Sequence, residues 1–206
     1  TERSEVWSLR VRKLLGARRL AAAFGAIVAA LGLGHAGWVE AKAQLAQVLL
    51  ARAWDTPLAT GAPSKPWPWA DTTPVARIEV PRIGVAQIVL SGAGGRSLAF
   101  GPSLSGAGAE PGESGNVVIS AHRDTHFRSL RELARGDRVW LQTRGARHAY
   151  TVDSIRVVDS RREGIATDTD AATLTLVTCY PFDALNPRGP LRYVVRGHLV
   201  ASVVRA

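Results

Sequence analysis

From Val75 onward, apolar and polar positions alternate with period two in short runs: V-A-R-I-E-V at 75–80, V-A-Q-I-V-L at 85–90, N-V-V-I-S-A at 116–121, R-V-W-L-Q-T at 138–143, H-A-Y-T-V-D-S-I-R-V-V-D at 148–159, T-L-T-L-V-T-C-Y at 173–180 and Y-V-V-R-G-H-L-V at 193–200. Period two is the pattern of a strand with one buried face, and this spacing, with connections rich in Gly, Pro, Ser and Asp, is that of a barrel. The connection 125–134 differs, because Phe127, Leu130 and Leu133 recur at three-residue steps and predict a helical turn. The expected fold is therefore mainly β with short helices.

Before residue 75 the pattern is of another kind. Residues 1–19 hold Arg3, Arg10, Arg12, Lys13, Arg18 and Arg19 against Glu2 and Glu5, and residues 20–39 contain no Asp, Glu, Lys or Arg. At about 1.5 Å per helical residue such a run spans roughly 30 Å, the hydrocarbon thickness of a bilayer, whereas a cleaved signal peptide has a shorter apolar region. The reading is a basic cytoplasmic tail (1–19) followed by an uncleaved transmembrane signal anchor (20–39). The basic flank stays inside, so the remainder lies outside the cytoplasmic membrane. Cleavage after Ala43 is the minor alternative. His35 sits near the outer end of the run and is expected to snorkel to the interface.

Residues 40–56 are rich in helix formers and predict an amphipathic juxtamembrane helix, which Pro57 ends. Residues 57–74 carry five prolines and two tryptophans and read as an extended spacer; Trp67 and Trp69 are too apolar to stay wet and are expected to dock on the following domain. Residues 75–206 form the remaining domain. A chain of 206 residues, 46% hydrophobic, supports one good core. The formal charge of +9 is dispersed and weighted to the N-terminus, so nucleic-acid binding is not the expected partner class. No P-loop and no Cys/His metal spacing occurs, so neither a metal nor any other cofactor is expected.

The single cysteine, Cys179, closes the run at 173–180, with Pro181 two residues beyond. A lone cysteine is ordinarily an inert buried hydrophobe. Outside the cytoplasm, however, an unpaired thiol is notable, and as a nucleophile it needs a base and a cation close by. Of five histidines, His122 is best placed, ending a strand at the polar run Arg123-Asp124-Thr125; His126 shares that loop, and His148 and His198 read as ordinary strand residues. A donor for an acyl oxyanion is the third requirement. Arg192 opens the last strand and returns beside the cysteine, with Arg188 and Arg196 as rivals. Asp124 is expected to cap the loop rather than complete a triad. Thr178 shapes the sulfur's surroundings, and Tyr180 and Phe182 either line a groove or pack.

The combination of H-R-D-T-x-F-R-x-L at 122–130, T-L-x-T-C-Y-P-F at 175–182 and L-R-Y-V-V at 191–195 resembles the sortases, membrane-anchored cysteine transpeptidases, and within them the Gram-negative class GN type, with histidine-loop wording shared with classes D and E. The resemblance implies a closed eight-stranded β-barrel in which Cys179 is the nucleophile, His122 the general acid and base, and Arg192 the stabiliser of substrate and oxyanion. It implies as partner a secreted protein bearing a C-terminal sorting signal similar to Leu-Pro-x-Thr-Gly, cleaved after threonine through a thioester and passed to an amine, with no cofactor consumed. Two other classes are alternatives. An L,D-transpeptidase would show an S-x-G-C-x-R-like context that is not found around Cys179; a non-catalytic envelope scaffold would not require Cys179, His122 and Arg192 to converge.

Overall fold

The period-two runs become the strands of a closed barrel in the computed structural model of the chain, which describes residues 2–56, 64–92, 94, 97–184 and 189–204, with helix side chains described from residue 24 onward except 36, 39, 40 and 43. The strands are β1 (Pro74–Val80), β2 (Val85–Ser91), β3 (Ser103–Leu104), β4 (Gly115–Ser120), β5 (Arg138–Gln142), β6 (Ala146–Asp159), β7 (Ala172–Cys179) and β8 (Leu191–Val204). They close in the order β1-β2-β3-β4-β7-β8-β6-β5. The β2–β3 and β4–β7 pairs are parallel and the rest antiparallel.

The alternation in sequence is the alternation of faces. Ile78 and Val80 of β1, Val117 and Ile119 of β4, Leu174 and Leu176 of β7 and Val195 of β8 fill the interior. The helical pattern at 125–134 is realised as a 3-10 turn, Arg128–Glu132, which buries Leu130, while Phe127 and Leu133 join the same core. The eight-stranded barrel with short helices is thus as expected, except that β3, two residues long, leaves no periodic trace in the sequence.

Two compact units make up the chain, Thr1–Gln44 and Leu45–Ala206. A single helix, α1 (Glu2–Asp55), runs from the first into the second. In the first unit Phe24, Ile27, Val28, Leu31 and Leu33 are exposed, and Lys42 Nζ lies 4.7 Å from the centroid of the Trp38 ring. Among the described residues no helix is long and apolar enough to cross a membrane; the expected span 20–39 includes side chains outside them.

In the second unit α1 belongs to the domain rather than to a tether. Ala46, Leu50, Ala53 and Trp54, spaced as one helical stripe, are buried, and Leu50 and Trp54 cluster with Ile88, Leu90, Trp67 and Phe100. The shortness of β3 leaves part of the β2 edge without a partner strand, and Gln47 covers it: its Oε1 accepts from Ile88 N (3.2 Å) and its Nε2 donates to Phe100 O (2.7 Å). A Cβ at Gly101 would stand 2.9 Å from Gln47 Nε2 and 3.0 Å from Ile88 O, so a larger residue there would displace Gln47 from this edge. Trp67 docks as expected, ring to ring with Phe100 at 5.1 Å. Trp69, expected to dock, is 82% exposed. Residues 57–63 of the expected spacer lie outside the described residues.

Candidate active site

Strand register assembles the site on the outer face of the barrel. In β7 the inward residues are Leu174, Leu176 and the buried Thr178, so Cys179 faces out, and it is half-exposed and free. Directly across the antiparallel β7–β8 pair stands Arg192. Tyr180 N donates to Leu191 O (3.0 Å), which makes the adjoining Cys179–Arg192 pair the closer, non-hydrogen-bonded kind, with Cα atoms about 4.5 Å apart and both side chains on one face. Arg196 pairs instead with Thr175, four residues down the strand. Arg188 lies outside the described residues. Arg192 Nη1 donates to Gly189 O (2.6 Å) and Leu191 O (2.9 Å), which steadies the fork at the mouth of the loop.

On the other side of β7 the parallel β4 ladder pairs Ser120 with Val177. It continues through Ala121 N donating to Val177 O (3.2 Å) and Thr178 Oγ1 donating to Ala121 O (2.8 Å). The exposed His122 follows directly, two residues past the end of β4. Cys179, Arg192 and, on β6, Val158 form one cross-strand row, beside the exit that carries His122. Thr178 faces the interior, where its hydroxyl ties the cysteine strand to the histidine exit.

The turn after His122 is held by the buried Arg123. Its Nη1 donates to Pro181 O (2.5 Å), its Nη2 to Ala184 O (2.7 Å) and its Nε to Asp124 Oδ1 (3.1 Å), which clips the histidine turn to the segment that follows Cys179. Asp124 is thus an exposed ion-pair partner of Arg123 rather than a loop cap. His126 is buried, 6% exposed, and so does not share the exposure of His122; its carbonyl accepts from Gln87 Nε2 (2.8 Å). Tyr180 and Phe182 pack with Tyr193 (ring centroids 6.2, 6.1 and 5.0 Å among the three), and burial, then the neighbouring Tyr180, raises the Tyr193 hydroxyl above its ordinary pKa. These aromatics pack on one another and remain partly exposed. Among the described residues no three His, Cys, Asp or Glu side chains are grouped to hold a metal ion.

A groove on the outer face begins at Val158, the β6 partner of Arg192, and is floored by Val194, Thr175 and Arg196 and walled by the β6–β7 connection at Glu163, Ile165 and Ala166. Asn116 of β4 fixes that wall. Its Nδ2 donates to Ala166 O (2.6 Å), its N to Thr167 O (3.0 Å), and its Oδ1 accepts from Thr175 Oγ1 (2.8 Å). Neither Arg123 nor Asn116 was singled out from the sequence. The only signal for Arg123 was its place beside His122; for Asn116, a polar residue opening an otherwise apolar run.

A closed barrel with a half-exposed cysteine on its outer face, opposite an arginine of the neighbouring strand, is the class of protein that fold and site define. The chain belongs to the sortase family: the sortase domain profile matches residues 78–200. It is 32% identical over 124 residues to sortase D of Bacillus subtilis (strain 168), a match covering 60% of this chain and 62% of that protein's length, so the chain spans less than two thirds of this relative. The Clostridium perfringens sortase D5 transpeptidase structure is similar at 28% identity and TM-score 0.55, over 63% of this chain and 80% of that one. Listeria monocytogenes sortase A, 23% identical, shares the fold at TM-score 0.58 over 65% and 91% of the two chains.

Proposed function

We propose that this chain is a membrane-anchored cysteine transpeptidase acting on a secreted protein with a Leu-Pro-x-Thr-Gly-like C-terminal signal. The observation that carries the reading is the cross-strand pair of Cys179 and Arg192, with the strand exit that leads into His122 tied to the cysteine strand through Thr178 and Ala121. In the first half-reaction the Cys179 thiolate attacks the threonine carbonyl, and charge develops on an oxyanion that the Arg192 fork offsets. The C–N bond breaks, His122 as imidazolium gives its proton to the leaving amine, and a thioester on Cys179 remains. An acceptor amine then attacks the thioester, neutral His122 takes its proton, and the sulfur leaves as thiolate. Proton and charge balance across the cycle without any other reagent.

Residues 20–39 anchor the enzyme in the cytoplasmic membrane, with the basic 1–19 inside and the barrel on the periplasmic side. The exposed Phe24, Ile27, Val28, Leu31 and Leu33 support this, since an apolar helix face of this extent is costly in water. The wording of the histidine turn supports a class GN enzyme of Gram-negative type, related to classes D and E. The test is mass spectrometry of the full chain incubated with a Leu-Pro-x-Thr-Gly peptide. The expected product is an adduct on Cys179 equal to the peptide truncated after threonine, absent from Cys179→Ala. Peptide cleavage that persists in the alanine variant would overturn the mechanism.

A further inference from the structure

The groove below the reactive row is not electrically neutral. Arg156, one row down on β6, is held by Glu163 at 2.8 Å. At the Arg196 end, Asp153 stands in the β6 bulge next to Ser154, the strand partner of Arg196, and its carboxylate is taken by His198 at 3.3 Å. The polar floor made by Asn116 and Thr175 is internally satisfied. Arg196 lines the same groove, faces out on β8 beside Thr175, and has no hydrogen-bond or ion-pair partner among the described residues. Nor does Asp168 or Asp170 of the β6–β7 connection form an ion pair with it. One cation without an ion-pair partner is left at this end of the groove, exposed beside Val194 and Thr175.

We infer that this end of the groove is a subsite for an acidic side chain of the peptide substrate, with Arg196 as the specificity-determining residue. The inference rests on the transpeptidase reading for its register. Thr175 and Arg196 lie four residues along their strands from Cys179 and Arg192, about 13 Å at 3.3 Å per residue. An extended peptide with its threonine carbonyl at Cys179 advances by nearly the same rise, so the side chain reaching Arg196 belongs to the fourth residue before the threonine. In a Leu-Pro-x-Thr signal that is the residue immediately preceding leucine. An Asp or Glu there meets a planar fork of donors, whereas a Lys meets a like charge.

The test measures binding to the full-length Cys179→Ala chain of three peptides differing only at that residue, Asp, Asn or Lys. The expected order is Asp, then Asn, then Lys, with Asp and Lys about 3- to 10-fold apart at low salt and the gap narrowing as salt is added. Arg196→Ala should collapse the three affinities to one value and Arg196→Glu should invert the order. Equal affinities in the chain that retains Arg196, or no binding of any peptide, overturn the inference. The enzymatic reading is judged separately, by adduct formation on the native chain. Adducts that form without regard to this charge sink the subsite and leave the enzyme; charge-selective binding without any adduct does the opposite.

Discussion

At the scale of single residues, the site depends on a side chain that touches no reacting atom. Arg123 has its side chain only 3% exposed, and the two carbonyls it serves, Pro181 O and Ala184 O, belong to the segment leaving Cys179, whereas its own backbone follows His122. Arg123→Ala frees both loops and removes hydrogen bonds made by a charged donor, which costs about 1.5–3 kcal/mol of stability. The positioning effect is separable from that loss. Measured well below the melting temperature, the acylation rate constant should fall roughly 10²-fold with KM little changed, because a displacement near 1 Å between reacting groups costs about that much. Arg123→Lys, which reaches one carbonyl but not both, should recover part of the rate; a variant whose rate tracks only its thermal stability would show Arg123 to be ordinary packing. The sequence makes Cys179 and His122 visible because both close period-two runs, and Arg192 because it opens one. Arg123 stayed hidden, since its significance lies in partners 58 and 61 residues away that no local pattern announces.

At the scale of elements, the same contrast between local and distant causes explains what could be read. Strands β1, β2 and β4 to β8 declare themselves through alternation, and the turn at Arg128–Glu132 through its three-residue spacing. Strand β3 cannot, for two residues hold no period. Its brevity also explains what the apolar stripe of the helical segment 45–55 packs against. The uncovered β2 edge and the apolar Ile88 and Leu90 need a cover, and the buried stripe of Ala46, Leu50, Ala53 and Trp54 supplies it. Arg144 adds to the docking, with its guanidinium 4.8 Å from the Trp54 ring and Nη2 donating to Ala53 O (3.3 Å) near the helix end. Leu50 is fully buried, so Leu50→Ala should destabilise the barrel by about 2–5 kcal/mol in denaturant melts, as for other core leucines. The exposed Val48→Ala should move the midpoint little. Equal, small effects at both positions would mean that the helix is a tether after all.

At the scale of the whole molecule, the barrel separates two jobs by face: the outer surface of β4, β7, β8 and β6 carries the cleft, and the interior carries stability. His148 belongs to the second. It pairs across β5–β6 with the core residue Leu141, is 6% exposed, and meets Ser202 Oγ at 2.9 Å through Nδ1. Gly112, at φ +94°, lies so close that an added Cβ would fall 2.3 Å from the ring, and its N–H is accepted by Tyr150 Oη at 3.1 Å. Burial holds the His148 imidazole below its ordinary pKa of 6.5, with no carboxylate paired to it among the described residues to restore the charged form. The sign follows from proton counts. Below 6.5 the unfolded chain binds a proton that the folded barrel refuses until the pH reaches its own lower value, so stability falls as the pH drops through that window and is undiminished above it. The thermal midpoint should therefore decline from pH 7.5 to pH 5.5, and His148→Gln, less stable at pH 7.5, should lose this component of the decline. Because His148 is remote from the Cys179 row, the same variant should acylate at the native rate at pH 7.5. Parallel pH slopes for the two proteins would remove His148 as the cause, and a rate deficit at neutral pH would show that the interior and the outer face are coupled after all.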